Sequence, residues 1–189
     1  MIEALSPVAA DRQALLRQRV GLLCQFIRWV ALAWIAWALV SVVVVWHDPA
    51  EVARIYGRML KSDIAPLPLV QYVAGLGVIL ADLAVSAYVA VLVWRLFGHY
   101  LAGDIFSFAA VDAMRRLGWV GVAAVVVDLL ARPAVTAIIT SHLASGARHV
   151  GVWAQPNDLL HLLMALFIVA LAHVFRTGVE IADDHRLIV

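Results

Sequence analysis

Four long apolar runs leave this chain one class of fold. They cover about residues 27–46, 70–97, 117–140 and 159–176. Each reaches or approaches the ~20 residues needed to cross the hydrocarbon core of a bilayer. In that core every backbone N–H and C=O must bond within the protein, so only helices or a closed barrel can cross it. The runs are continuous and lack the period-two alternation of barrel strands, which excludes the barrel. Composition agrees: 65% of the 189 residues are hydrophobic and 14% are charged, against roughly 45–50% and ~25% in a soluble domain. The connections are too short for a separate soluble domain. Residues 1–189 therefore read as one all-α unit, an antiparallel bundle of four transmembrane helices.

The distribution of charge sets the expected orientation. Arg12, Arg17, Arg19, Arg28, Arg95, Arg115, Arg116, Arg176 and Arg186 flank one side, and Arg54, Arg58, Lys61 and Arg148 flank the other. Basic residues concentrate in cytoplasmic flanks, which puts both termini inside. The first run follows four arginines, starts late and carries Trp29, Trp34, Trp37 and Trp46, so it reads as an uncleaved anchor. Asp11–Phe26 interleaves leucine with arginine and suits an amphipathic helix on, or leading into, the inner leaflet. The single cysteine, Cys24, has no intramolecular partner and reads as a small apolar residue.

The first outer connection opens His47-Asp48-Pro49, a helix cap followed by proline at the first helical position. Val52, Ile55, Tyr56, Met59 and Leu60 recur at helical spacing, which predicts a short interfacial helix that Pro66 and Pro68 end. It reads as a connector resting on the membrane, with a ligand lid as the alternative. In the second span Gly77 and Ala81 form a small-xxx-small pair that would permit close helix approach; Gly118 and Gly121 lie in the third. Trp46, Tyr72 and Trp153 outside, with Trp29, Trp94, Tyr100 and Trp119 inside, fit interfacial aromatic belts.

The inner connection reads Gly103-Asp104-Ile105-Phe106-Ser107, and Ser107 is placed to cap a helix running through Arg116 into the third span. This motif, the following Arg115-Arg116-Leu117-Gly118-Trp119, and the tail from Phe175-Arg176 to Asp183-Asp184-His185-Arg186-Leu187-Ile188-Val189 resemble a family of small bacterial four-helix membrane proteins of unknown function, DUF2975. His185-Arg186 departs from the more acidic character of that ending, and Ile188 stands where threonine is common. The resemblance implies a multi-pass protein of the bacterial inner membrane. Through the neighbours of some members, it also implies a partnership with a cytoplasmic helix-turn-helix regulator. It supplies no catalytic residues.

Two acids and one base interrupt the apolar runs: Asp82 in the second, Asp128 and Arg132 in the third, with Pro133 next. A charge at the bilayer centre costs roughly 2.5–3.5 kcal/mol even on the lenient insertion scale, so the three must pair, neutralise or face the interior. Antiparallel packing puts Asp82 and Asp128 at similar depth, and Arg132 stands one turn beyond Asp128 on the same face. The expectation is an Arg132 that bridges Asp128 and Asp82. Thr136, Thr140 and Ser141 offer a partial polar path outward, but the inner halves of both spans are apolar. A clasp fixing helix register is thus better supported than a proton relay. Pro133 frees the carbonyl of Leu129 and is expected to kink the third span.

Four histidines raise b-type haem as a weaker alternative: His142 and His161 near the outer ends, His99 and His173 near the inner ends. His161 and His173 are ~18 Å apart along a helix and ~120° around it, poor for ligands facing one core. No close His/Cys/acid spacing suggests zinc. No nucleophile–base pair or phosphate loop is evident, and basic residues are scattered at membrane edges rather than grouped for nucleic acid. The sequence therefore reads as a non-enzymatic membrane sensor or partner of a cytoplasmic regulator, without a cofactor and open to homo-oligomerisation. The alternatives are a small transporter or proton-coupled permease and a haem electron-transfer protein.

Overall fold

The computed structural model describes the backbone of residues 7–102, 107–144, 146–148, 150–152 and 154–186. Side chains are described for 21–102, 107–144, 146–148, 150–152 and 154–181. Five helices are found among these residues: α1 (Pro7–Trp46), α2 (Pro49–Leu60), α3 (Leu69–Leu101), α4 (Phe108–Thr140) and α5 (Pro156–Arg186). Four stretches are long and apolar enough to cross a membrane: Gly21–Trp46, Leu69–Leu101, Phe108–Thr140 and Pro156–Ile181. α2 is a short helix that does not span. The 33 residues of α3 or α4 make a rod about 50 Å long, more than the ~30 Å hydrocarbon core. The helices outrun the apolar runs because nothing breaks them where the apolar sequence stops.

Local chemistry sets the ends. The side chain of Asp48 accepts the amide of Ala50 at 2.9 Å, with Pro49 opening α2. Ser107 caps α4 by accepting the amide of Ala110 at 3.2 Å. Lys61 closes α2 in the left-handed region at φ 53°, an unusual conformation for a residue with a Cβ. Asp11–Phe26 continues directly into the first span, since α1 runs unbroken from Pro7. α4 likewise continues through Pro133 to Thr140.

α1 packs on α3, α3 on α4 and α4 on α5, while α2 rests against the end of α1. α1 and α5 make no extensive contact among the described residues. They nevertheless line one cavity together, so the row of helices curves toward closure without completing it. At the α2 end, Trp46, Val52, Ala53, Ile64, Val135 and Ile139 form a buried cluster. At the opposite end Leu92, Leu96 and Leu117 form another.

Trp46, the last residue of its spanning stretch, packs inside the protein rather than facing outward: it is 5% exposed. Its ring lies against Gly75, where an added Cβ would sit 2.8 Å from Cη2. Its carbonyl accepts the Tyr72 hydroxyl, and its ring meets Tyr56 and Tyr72 at 6.1 and 5.7 Å between centroids. At the other end the Arg28 guanidinium lies 3.7 Å from the Trp94 ring centroid, a cation–π contact. The close helix approach falls on Gly118 rather than on Gly77. A Cβ at Gly118 would sit 2.5 Å from Val169 Cγ2 and 2.9 Å from its backbone nitrogen, whereas one at Gly77 meets nothing within 4 Å. Small residues permit close packing, but only the facing helix decides which of them are used.

Candidate functional site

The helix ends measure the depth of the charges. Asp82 lies thirteen residues into α3, and Asp128 twelve residues before the end of antiparallel α4. Both are thus about 18–20 Å from the α2 end. Arg132, one turn nearer that end, carries a forked guanidinium that suits two carboxylates. It bonds side-on to Asp128, with the closer contact from Nη2 and a longer one from Nε at 3.4 Å. It bonds end-on to Asp158, with Nη1 and Nη2 each at 2.8 Å.

Asp158 replaces Asp82 as the second carboxylate, which corrects the expected Asp82–Arg132 bridge. Among the described residues Asp82 makes no hydrogen bond or ion pair, although it lies within electrostatic reach of Asp128 and Arg132. The reason lies in the α4–α5 connection. Gly151 folds back to donate its amide to the Thr136 hydroxyl at 2.9 Å. α5 therefore starts alongside Arg132 rather than at the far end of α4. Asp158, in the first turn of α5, also accepts the amide of Gln155 at 2.7 Å. That reach back to the helix start is the acidic half of a capping box. Pro156 followed by an acid in the first turn was the signal that could have found Asp158.

The three linked side chains are unequally covered. Asp158 is 8% exposed, Arg132 20% and Asp128 40%. Asp128 faces open space on two sides, because two cavities meet at this level. One, of about 490 Å³, runs from Asp82, Asp128 and Asp158 toward the end away from α2, walled by Val93, Leu117 and Ile168 and flanked by Trp34. The other, of about 310 Å³, lies under α2, with Ile55, Tyr56 and Met59 over Asp82, Asp128 and Arg132. α2 thus borders the cavity that reaches the charged residues as well as connecting α1 to α3. Thr136 and Thr140 do not form the expected outward path. Both are fully buried, and their hydroxyls donate to carbonyls of their own helix, Arg132 or Pro133 for Thr136 and Thr136 for Thr140.

The histidines are not brought together. His173 bonds the carbonyl of Val169 and is exposed. His161 borders the larger cavity, and both ring nitrogens of His142 are buried without a hydrogen-bond partner. His99 is on α3 and His173 on α5, which do not pack extensively on one another. Among the described residues no group of three or more His, Cys, Asp or Glu is placed to hold a metal. Of the inner-loop motif, Ser107 is described as the α4 cap; Gly103, Asp104, Ile105 and Phe106 lie outside the described residues. So do His149, Trp153, Leu187, Ile188 and Val189, and the side chains of Arg12, Arg17, Arg19, Asp183, Asp184, His185 and Arg186.

Outside the membrane-spanning stretches, α2 carries an ion pair. Arg54 donates to Glu51 and lowers its carboxyl below the usual range, while burial raises the Tyr56 phenol.

A family model described as a protein of unknown function (DUF2975) matches residues 58–189, most of the chain. No curated protein and no solved structure matches it.

Proposed function

The chain belongs to the DUF2975 family, and we propose that within it the protein is a non-catalytic membrane sensor. Its ligand seats in the larger interhelical cavity, against Asp82 and Asp128. The observation that carries this reading is that cavity: about 490 Å³ of mostly apolar wall with a few convergent polar groups, the usual makeup of a small-molecule site. Arg132, Asp128 and Asp158 clasp α4 to α5, which leaves Asp82 as the acid turned to the ligand. A ligand that wedges or draws together α3, α4 and α5 would alter the segment from Ser107 to Arg116. With the termini inside, that segment is offered to a cytoplasmic regulator.

The test compares the protein with Ala124→Trp, which fills the cavity from α4. Native mass spectra of protein extracted from its own membranes should show a bound molecule that the variant lacks. Amide exchange in residues 107–116 should differ between occupied and empty protein. An empty wild type whose exchange matches that of the variant would overturn the reading. An absorption spectrum of the same sample tests the haem alternative: a Soret band would move the argument to the histidines.

One observation favours a second reading, a small permease. Asp82 and Asp128 border both cavities, as an alternating-access site would require. Flux of protons or cations into proteoliposomes, lost in Asp82→Asn, would support it over the sensor.

A further inference from the structure

We propose that the larger cavity takes a lipophilic monocation, an apolar body bearing one positive charge, that arrives sideways from the bilayer between α1 and α5. This rests on reading the cavity as a ligand site.

The first argument is charge. Asp82, Asp128 and Asp158 all border the cavity, and the guanidinium found at their level among the described residues, that of Arg132, is committed to Asp128 and Asp158. With all three acids ionised the formal sum would be two negative charges, and in a region where an uncompensated charge is costly a cation or a proton must offset them. Asp158 is more than nine-tenths buried and held by Arg132 and the Gln155 amide, so its place is built rather than incidental. Asp82, without a hydrogen bond or ion pair among the described residues, is where an incoming cation finds an uncommitted carboxylate.

The second argument is the wall. Beyond the acids, Ser86 and His161 the lining is apolar, through Val89, Val93, Leu117, Val125 and Ile168. A small hydrated metal ion would leave that surface unused, and a neutral lipid would leave Asp82 unmatched. The third argument is access. α1 and α5 make no extensive contact among the described residues, and Trp34 on α1 and His161 and Met164 on α5 border the cavity while remaining exposed. In a membrane that side of the cavity faces lipid. Trp34 stands there with an aromatic face, a surface that attracts organic cations.

The experiment uses two ions of nearly one shape and opposite charge, tetraphenylphosphonium and tetraphenylborate, in equilibrium dialysis against the full chain in neutral detergent. Tetraphenylphosphonium should bind saturably at one per chain, and tetraphenylborate should only partition into the micelle. Asp82→Asn should weaken the cation by about tenfold or more, the loss of one opposite charge near the site. Ala124→Trp should abolish saturable binding. Thermal unfolding of each variant confirms that it is folded. Equal binding of both ions, or an affinity unchanged in Asp82→Asn, overturns the cation and leaves the cavity as a site for something else. So does the absence of saturable binding by either ion while a neutral molecule is retained by the wild type and lost in Ala124→Trp. If no molecule at all depends on the cavity, the sensor reading falls with it.

Discussion

Replacing Gly118 by alanine should destabilise the protein relative to the same replacement at Gly77, and the difference can be worked from the packing. In a helix, Gly→Ala gains about 0.5–1 kcal/mol from backbone entropy wherever the new methyl fits. At Gly77 it meets nothing within 4 Å, so that gain stands alone. At Gly118 the new Cβ sits 2.5 Å from Val169 Cγ2, 2.9 Å from Val169 N and 3.2 Å from Val169 Cα. Carbon atoms rest at about 3.5–4.0 Å. The side chain of Val169 can rotate away, but the backbone cannot, so α4 and α5 must part by several tenths of an ångström. Overpacking of this kind costs about 1–3 kcal/mol. Because the entropy gain is common to both sites, the difference between the variants should equal that cost. Reversible denaturation in mixed micelles, followed by tryptophan fluorescence, measures it. Val169→Ala in the Gly118→Ala background should restore only part of the loss, since it removes Cγ2 and leaves the nitrogen in place. A difference between the two glycine variants below about 0.5 kcal/mol would refute the reasoning, as would full rescue by Val169→Ala.

Three further outcomes are expected. Trp46→Ala should cost about 3–5 kcal/mol, as for a large buried aromatic, and should raise amide exchange at Val52 and Ala53, which pack with it; unchanged exchange there would separate α2 from the Trp46 cluster. Arg132→Met should cost about 3–5 kcal/mol by leaving carboxylates without their cation, whereas Arg132→Met combined with Asp128→Leu and Asp158→Leu should recover much of it. A triple variant less stable than the single one would argue against a clasp. Glu51 is held below the usual carboxylate range by its hydrogen bond from Arg54, so the pair stabilises α2 above the unfolded carboxyl pKa and is lost as pH falls through the lowered folded one. An NMR titration should show the Glu51 midpoint rising in Arg54→Gln, and an unmoved midpoint would dissolve the pair.

How far the site was legible follows from which interactions are local. Asp82, Asp128 and Arg132 stand out in any apolar run, and the Asp128–Arg132 pair follows from four-residue spacing on one helix. Asp158 does not stand out in the same way because it sits at the edge of an apolar run, where an acid reads as a helix start. Its bond to Arg132 spans 26 residues and a folded-back connection. Gly77 with Ala81 had the pattern of a packing motif and lacks a partner, while Gly118 has the partner.

By itself the sequence determined the four apolar spans and the short helix between the first two, the caps at Asp48 and Ser107 and the need to compensate the buried charges. These rest on short-range chemistry and on the cost of exposing backbone and charge to lipid, which any fold of the chain must respect. Only the tertiary structure decided that α5 begins at the level of Arg132, that the Trp46 ring is buried in a core cluster, and that α1 and α5 border one cavity without extensive contact among the described residues. Those features depend on which faces of the helices meet. Lipid leaves that choice to side-chain fit between distant segments, because an apolar helix surface is as well solvated by hydrocarbon as by its neighbours.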